Sequence, residues 1–229
     1  MSDLLRIEKL RYTWPGESRP VLDIAEFSIA RGERVFLKGP SGSGKSTLLA
    51  AIGGLIQPDG GRIRFDNTDL GSLSAAARDR FRAEHLGVIF QQFNLLPWLD
   101  VRANVTLPCR FSRTRAKRAG DVGVAAERLL DAMDLAPEQR GKRADELSVG
   151  QQQRVAAARA LIGKPQLVLA DEPTSALDSD RRQAFIELLF AQIEAAGSAL
   201  LFVSHDPDLA HDFDREVSLP EINRAGVAA

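Results

Sequence analysis

The amino-acid sequence predicts an α/β fold built on a parallel sheet, and three observations lead there. Short apolar runs of strand type alternate with helical periodicity along most of the 229 residues. Four polar groups, at Gly39, Gln91, Asp171 and His205, stand at or just past the ends of such runs, where open parallel sheets place their binding loops. Between residues 93 and 162 the pattern turns mostly helical. This predicts a helical subdomain inserted into a core formed by residues 1–92 and 163–229, the whole chain being one domain.

Local chemistry supplies the elements in order. Strands are expected over residues 5–10, 21–29 and 34–37, broken by turns at Trp14-Pro15-Gly16 and Arg31-Gly32. Residues 46–52 read as a helix stopped by Gly53-Gly54, residues 61–65 as a strand running into an Asp66-Asn67 turn, and residues 74–84 as a second helix. An apolar strand over residues 86–90 ends at Gln91. After the helical insert, residues 167–170 are a buried strand. Residues 180–195 follow as a helix with Phe185, Leu188, Leu189 and Ile193 on one side, and residues 199–203 as another strand. The insert carries a basic run, Arg110, Arg113, Arg115, Lys117 and Arg118, expected on a solvated loop or helix face rather than against phospholipid or a partner.

Composition narrows the function. With 30 basic and 31 acidic side chains the net charge is -1, so no global field gathers nucleic acid or an anionic bilayer, and no nucleic-acid partner is expected. The single cysteine, Cys109, cannot form an internal disulfide and has no metal-ligand neighbour, which fits a reducing compartment and a small packing role. No stretch approaches the roughly 18 apolar residues of a spanning helix, and the start of the sequence has no long apolar core with a cleavage site, so no secretory leader is expected. The chain is therefore expected in the cytoplasm, with any membrane part supplied by another protein. No appended regulatory domain is expected beyond about residue 220.

Gly39-Pro40-Ser41-Gly42-Ser43-Gly44-Lys45-Ser46-Thr47 matches the phosphate loop G-x-x-x-x-G-K-[ST], with a strand before it and a helix after it. Gly42 and Gly44 let backbone N–H groups close around an anion, and Lys45 brings charge to the β- and γ-phosphates. Ser46 offers a hydroxyl to Mg2+, and Thr47 sits by the α-phosphate. Alone, this loop fits a kinase or a GTPase equally well.

Asp171 ends an apolar strand, the arrangement that holds a Mg2+ shell, and Glu172 directly after it is the candidate base that polarises the attacking water. His205 follows another apolar strand and can hydrogen-bond the γ-phosphate and orient Glu172 or its water, while His85 and His211 are assigned to structure or surface. Gln91 can reach Mg2+ or the water through its amide, with Gln92 as its rival. Ser148 followed by Gln151 is a capping box that opens a helix with Val155, Ala158 and Ile162 on one face. That helix presents its positive N-terminal end to an anion.

Tyr12, the phosphate loop, Gln91, Leu147-Ser148-Val149-Gly150-Gln151, Asp171-Glu172-Pro173-Thr174-Ser175-Ala176-Leu177-Asp178 and His205 stand in the order of an ATP-binding cassette ATPase. The sequence resembles that family over nearly its whole length. The resemblance implies a P-loop NTPase core with an antiparallel β subdomain and the inserted helical subdomain. It implies ATP and Mg2+ as cofactors, ATP hydrolysis, and a head-to-tail homodimer in which ATP on each phosphate loop meets Ser148, Gly150 and Gln151 of the other copy. Asp178 would cross that interface, and Tyr12 would lie against adenine, with Trp14 as the fallback ring. The family's Phe-Gln pattern favours Gln91 over Gln92.

Integral membrane permease subunits are the implied partners, which places the chain on the cytoplasmic face of the inner membrane. Trp98, with Leu95 and Leu99, is expected to line a groove for a short permease helix, with internal packing of the helical subdomain an equal alternative for Leu95 and Leu99. Ile89-Phe90-Gln91-Gln92-Phe93-Asn94-Leu95-Leu96-Pro97, with Glu146-Leu147-Ser148 and Gln153-Arg154, resembles the lipoprotein-release, macrolide-efflux and cell-division branch. Two positions depart from the family pattern. Val149 stands where the signature has glycine, so a left-handed backbone there would be strained, and Ser175-Ala176 stand where relatives in the branch have Gly-Asn. A cassette that transmits force to an extracytoplasmic partner without moving a substrate would carry the same motifs. A soluble cassette of DNA repair or translation is disfavoured by the single cassette and balanced charge.

Overall fold

Strand β1 (Asp3–Tyr12) buries Leu5, Ile7, Leu10 and Tyr12 while Arg6, Lys9 and Arg11 stay exposed, the signature of a sheet covered on one face. It pairs antiparallel with β2 (Leu22–Ala30), Ile7 opposite Phe27 and Tyr12 opposite Leu22. After β3 (Arg34–Lys38) come the phosphate loop and α1 (Lys45–Ile52). Strand β4 (Gly60–Phe65) pairs with the other edge of β1 and β5 (Thr68–Asp69) with β4, giving an antiparallel sheet in the order β2-β1-β4-β5. Helix α2 (Ala75–His85) begins where Ser74 Oγ accepts from the Ala77 N–H, and its Phe81 meets Phe65 edge to face with ring centroids 5.0 Å apart.

The computed structural model describes residues 3–226, which fall into two units, residues up to 82 with those from 201 on, and residues 83–200. The second unit opens with β6 (Leu86–Ile89). Helices α3 (Val101–Phe111), α4 (Arg113–Ala119) and α5 (Val122–Ala132) follow, each started by a side chain that accepts a first-turn N–H, from Asp100, Ser112 and Asp121 respectively. Helix α6 (Val149–Leu161), strand β7 (Leu167–Asp171) and α7 (Ser179–Ala196) complete it. Strands β6 and β7 run parallel, Leu86 opposite Leu167 and Ile89 opposite Ala170. Helix α6 is buried from Val155 to Leu161 and lies so close to β6 that a Cβ on Gly87 would stand 2.4 Å from the Ala160 carbonyl oxygen. Only glycine permits that approach.

Strand β8 (Ala199–Ser204), buried throughout, leads the chain back to the first unit. There β9 (Arg215–Ser218) pairs parallel with β3, Val35 opposite Arg215 and Leu37 opposite Val217, and the short α8 (Leu219–Ile222) follows. Phe36, Phe202 and Phe213 pack as an aromatic cluster with centroids 5.2 to 6.2 Å apart. Parallel pairs, an antiparallel sheet and a helical run together make the expected α/β P-loop NTPase architecture. Among the described residues no helix is long and apolar enough to cross a membrane.

The basic run of the insert corrects one expectation. Arg110, Arg113, Lys117 and Arg118 are exposed, but Arg115 is 2% exposed. Its Nε donates to the Ile162 carbonyl at 2.8 Å, its Nη1 to Leu86 at 3.1 Å and its Nη2 to Ala160 at 2.6 Å. Carbonyls at a helix C-terminus lack intrahelical partners and carry partial negative charge, so the end of α6 is a place that holds a cation. Burial pushes the Arg115 pKa down to about 10, which leaves it charged at neutral pH. Cys109 is half-buried, and burial pushes its thiol pKa up, away from reactivity.

Candidate functional site

In the first unit the phosphate loop links β3 to α1. Gly42 and Gly44 have φ of +78° and +100°, and a Cβ on Gly44 would lie 3.1 Å from the Val21 carbonyl oxygen. Gly44 is the N-cap of α1 and, having no side chain, offers no side-chain acceptor to the first turn of that helix. Among the described residues Ser43 Oγ is buried with no hydrogen-bond partner. Lys45, 7% exposed, donates from Nζ to the carbonyls of Gly39 at 2.7 Å and Pro40 at 3.0 Å. An orphaned hydroxyl, an uncapped helix start and an ammonium resting on its own loop form a donor set suited to phosphate. Ser46 and Thr47 lie in the first turn of α1. A serine hydroxyl such as that of Ser46 is a hard oxygen donor of the kind Mg2+ takes alongside waters.

Sequence reasoning missed Asn223. At 3% exposure it donates from Nδ2 to the carbonyls of Val21 at 2.9 Å and Ser43 at 3.3 Å, while its Oδ1 accepts from the Asp23 N–H at 2.8 Å. It thereby braces the phosphate loop against the start of β2. Tyr12 is the last residue of β1 and only 7% exposed. Trp14, edge-on to it at 5.1 Å between centroids, is 43% exposed. His205 is exposed immediately after β8, ahead of a turn that Asp206 caps by accepting from the Asp208 N–H.

The second unit holds the other candidates. Gln91 and Gln92 are exposed beyond the end of β6. Phe93 and Asn94 follow with φ of +58° and +49°, a left-handed backbone that costs a non-glycine residue about 1 kcal/mol or more. Arg159 of α6, 9% exposed, donates from Nη2 to the Phe93 carbonyl and from Nη1 to the Asn94 carbonyl, each at 2.6 Å. Fully buried Asn104 fixes the next turn, accepting from the Leu96 N–H at 2.8 Å and donating to the Leu96 carbonyl at 3.0 Å. Trp98 is 67% exposed.

Asp171 and Glu172 are half-buried at the end of β7, and Glu172 too is left-handed, with φ of +44°. The carbonyl of Pro173, next in the chain, accepts from Nε2 of Gln153 at 2.8 Å, and Gln153 is 1% exposed. At the start of α6 the capping box closes: Ser148 Oγ accepts from the Gln151 N–H at 3.4 Å, and Gln151 Oε1 from the Ser148 N–H at 2.9 Å. Val149 is simply the first residue of that helix, 49% exposed and without positive φ, so the strain expected from losing glycine there does not arise. Gly150 follows it, half-buried. Asp178, exposed, caps α7 by accepting from the Arg181 N–H at 3.0 Å.

The family model described as "ABC transporter" matches residues 22–175. The chain is 44% identical over 200 residues to the lipoprotein-releasing system ATP-binding protein LolD of Anaeromyxobacter dehalogenans, covering 87% of this chain and 82% of the relative. It is 40% identical over 202 residues to the macrolide export ATP-binding/permease protein MacB of Marinobacter nauticus, covering 88% of this chain and 31% of that longer protein. Among solved structures, the dimeric post-hydrolysis state of the ATP-binding cassette MJ0796 bound to ADP and Pi matches with a TM-score of 0.84 at 35% identity, covering 93% of each chain. The chain therefore belongs to the ABC transporter family, as an ATP-binding cassette ATPase of the branch whose relatives are named for lipoprotein release and macrolide export.

Proposed function

We propose that two copies of this chain close head to tail around two Mg-ATP and, by closing and reopening, drive the integral membrane permease subunits of a transporter. The observation that carries this reading is the exposed tip of α6. Its capping box occupies the Gln151 N–H, no acidic residue lies in its first turn, and the N–H groups of Val149 and Gly150 have no acceptor within the helix. Such a tip on the surface suits the γ-phosphate held by another copy's phosphate loop. That the similar cassette MJ0796 is dimeric supports the pairing.

In this reading Gly39 to Thr47 grip the phosphates, and Ser46, Gln91 and Asp171 serve Mg2+. When bound there, Mg2+ would supply positive charge to the phosphate oxygens. Glu172 polarises the attacking water, His205 hydrogen-bonds the γ-phosphate, and Asp178 reaches across to the other copy. Trp14, whose ring is accessible, takes the adenine in place of buried Tyr12.

Permease partners are supported by the MacB relative, named as an ATP-binding and permease protein, of which this chain matches 31%. They place the chain on the cytoplasmic face of the inner membrane. Trp98, with Leu95 and Leu99 beside it, offers an apolar anchor for a short permease helix. The test is sedimentation of the Glu172→Gln chain, which can bind but not turn over. It should form dimers with Mg-ATP and monomers with Mg-ADP. A monomer under saturating Mg-ATP, even with permease present, overturns the reading.

A further inference from the structure

We propose that α6 sets the hydrolytic machinery of its own copy, with Arg159 and Gln153 as positioning residues for the loops that carry Gln91 and Glu172. The inference rests on the roles proposed above for those two side chains. Its basis lies within the second unit. Phe93, Asn94 and Glu172 are non-glycine residues in the left-handed region, a conformation that costs such residues about 1 kcal/mol or more. Helix α6 supplies side-chain bonds to both of these loops.

Arg159 spans two successive carbonyls, of Phe93 and Asn94, with the two ends of its guanidinium fork, each at 2.6 Å. A planar fork with fixed donor spacing holds two acceptors in one geometry, which a lysine cannot do. Gln153 holds the Pro173 carbonyl at 2.8 Å, one residue past Glu172. Both side chains are buried, at 9% and 1% exposure, so water cannot readily replace either bond.

The same rod ends in the exposed Ser148 tip. A displacement of that tip by bound nucleotide carries Arg159 and Gln153 with it, because the helix between them is continuous and packed. Nucleotide met by the tip of α6 thus adjusts the loops that serve the copy's own nucleotide. This gives the two sites of a dimer a physical means of responding to each other.

The test compares Mg-ATP affinity, ATP-driven dimerisation and turnover in the full chain carrying Arg159→Met, Arg159→Lys or Gln153→Met, alongside Gln91→Ala and Glu172→Gln. Arg159→Met and Gln153→Met should bind Mg-ATP within about twofold of the parent and still dimerise, while kcat falls about tenfold or more at unchanged KM, as misplaced catalytic groups require. Arg159→Lys should recover part of the lost turnover through a single remaining carbonyl bond. Parental kcat in a folded Arg159→Met or Gln153→Met chain overturns the inference, as does turnover lost only in step with nucleotide affinity. If Arg159→Met does not fold, Gln153→Met decides by the same criteria. Parental turnover in Gln91→Ala and Glu172→Gln would instead overturn the roles of those side chains, on which the inference stands.

Discussion

Nη2 of Arg115 lies 2.6 Å from the carbonyl oxygen of Ala160, so a cation from α4 closes the last turn of α6. The same guanidinium serves Ile162 and, across to β6, Leu86. Replacing Arg115 with Met removes the donor from three buried carbonyls, each costing about 1–3 kcal/mol when unsatisfied, and relieves the burial of one charge. The net expectation is a loss of about 2–4 kcal/mol, read as a lower urea midpoint, with a smaller loss for Arg115→Lys. An unchanged midpoint would mean that solvent reaches these carbonyls.

Trp14 is 43% exposed and meets buried Tyr12 edge to face, and experiment sets the two rings apart at the proposed adenine site. Trp14→Ala should weaken Mg-ATP binding by about 1–3 kcal/mol, roughly 5- to 150-fold in Kd, the usual worth of a base stacked on an aromatic ring. Tyr12→Leu should lower thermal stability through lost packing and leave Kd within about twofold. Titration with a fluorescent ATP analogue measures both. A large loss of affinity in Tyr12→Leu alone would return the stacking role to Tyr12.

These residues also show where sequence reading stops. The phosphate loop and the Ser148 capping box were legible because their partners lie within a few residues, so spacing alone fixes the geometry. The strand that carries Tyr12 was read two residues short. A β1 that ended at Leu10 would leave it beside a turn, whereas the strand runs on to Tyr12 and turns that ring inward. Arg115 looked like one of several solvated charges, because the helix-end carbonyls that bury it leave no mark in the sequence. Asn223 was invisible for a related reason. Its amide meets Val21, 202 positions earlier, and only the folded chain brings such a pair together.

Glu127 supplies the pH-dependent prediction. Hydrogen bonds from Arg102 first, and then from Arg140 at 2.8 Å, hold its carboxyl below the ordinary glutamate range. Arg140 is itself nearly buried and also bonds Asp131, so α5 is tied to the turn that precedes α6. A carboxyl with a lowered folded pKa binds fewer protons folded than unfolded, so its stabilisation is fully present above its ordinary pKa. That contribution is lost as pH falls through the folded value. Glu127 is partly exposed, which limits the contribution of the cluster to about 0.5–1 kcal/mol at neutral pH. Glu127→Gln should therefore lower the urea midpoint at pH 7 and converge with the parent in acid below the carboxylate range. A difference between the two chains that persisted undiminished in acid would assign the effect to packing instead of charge.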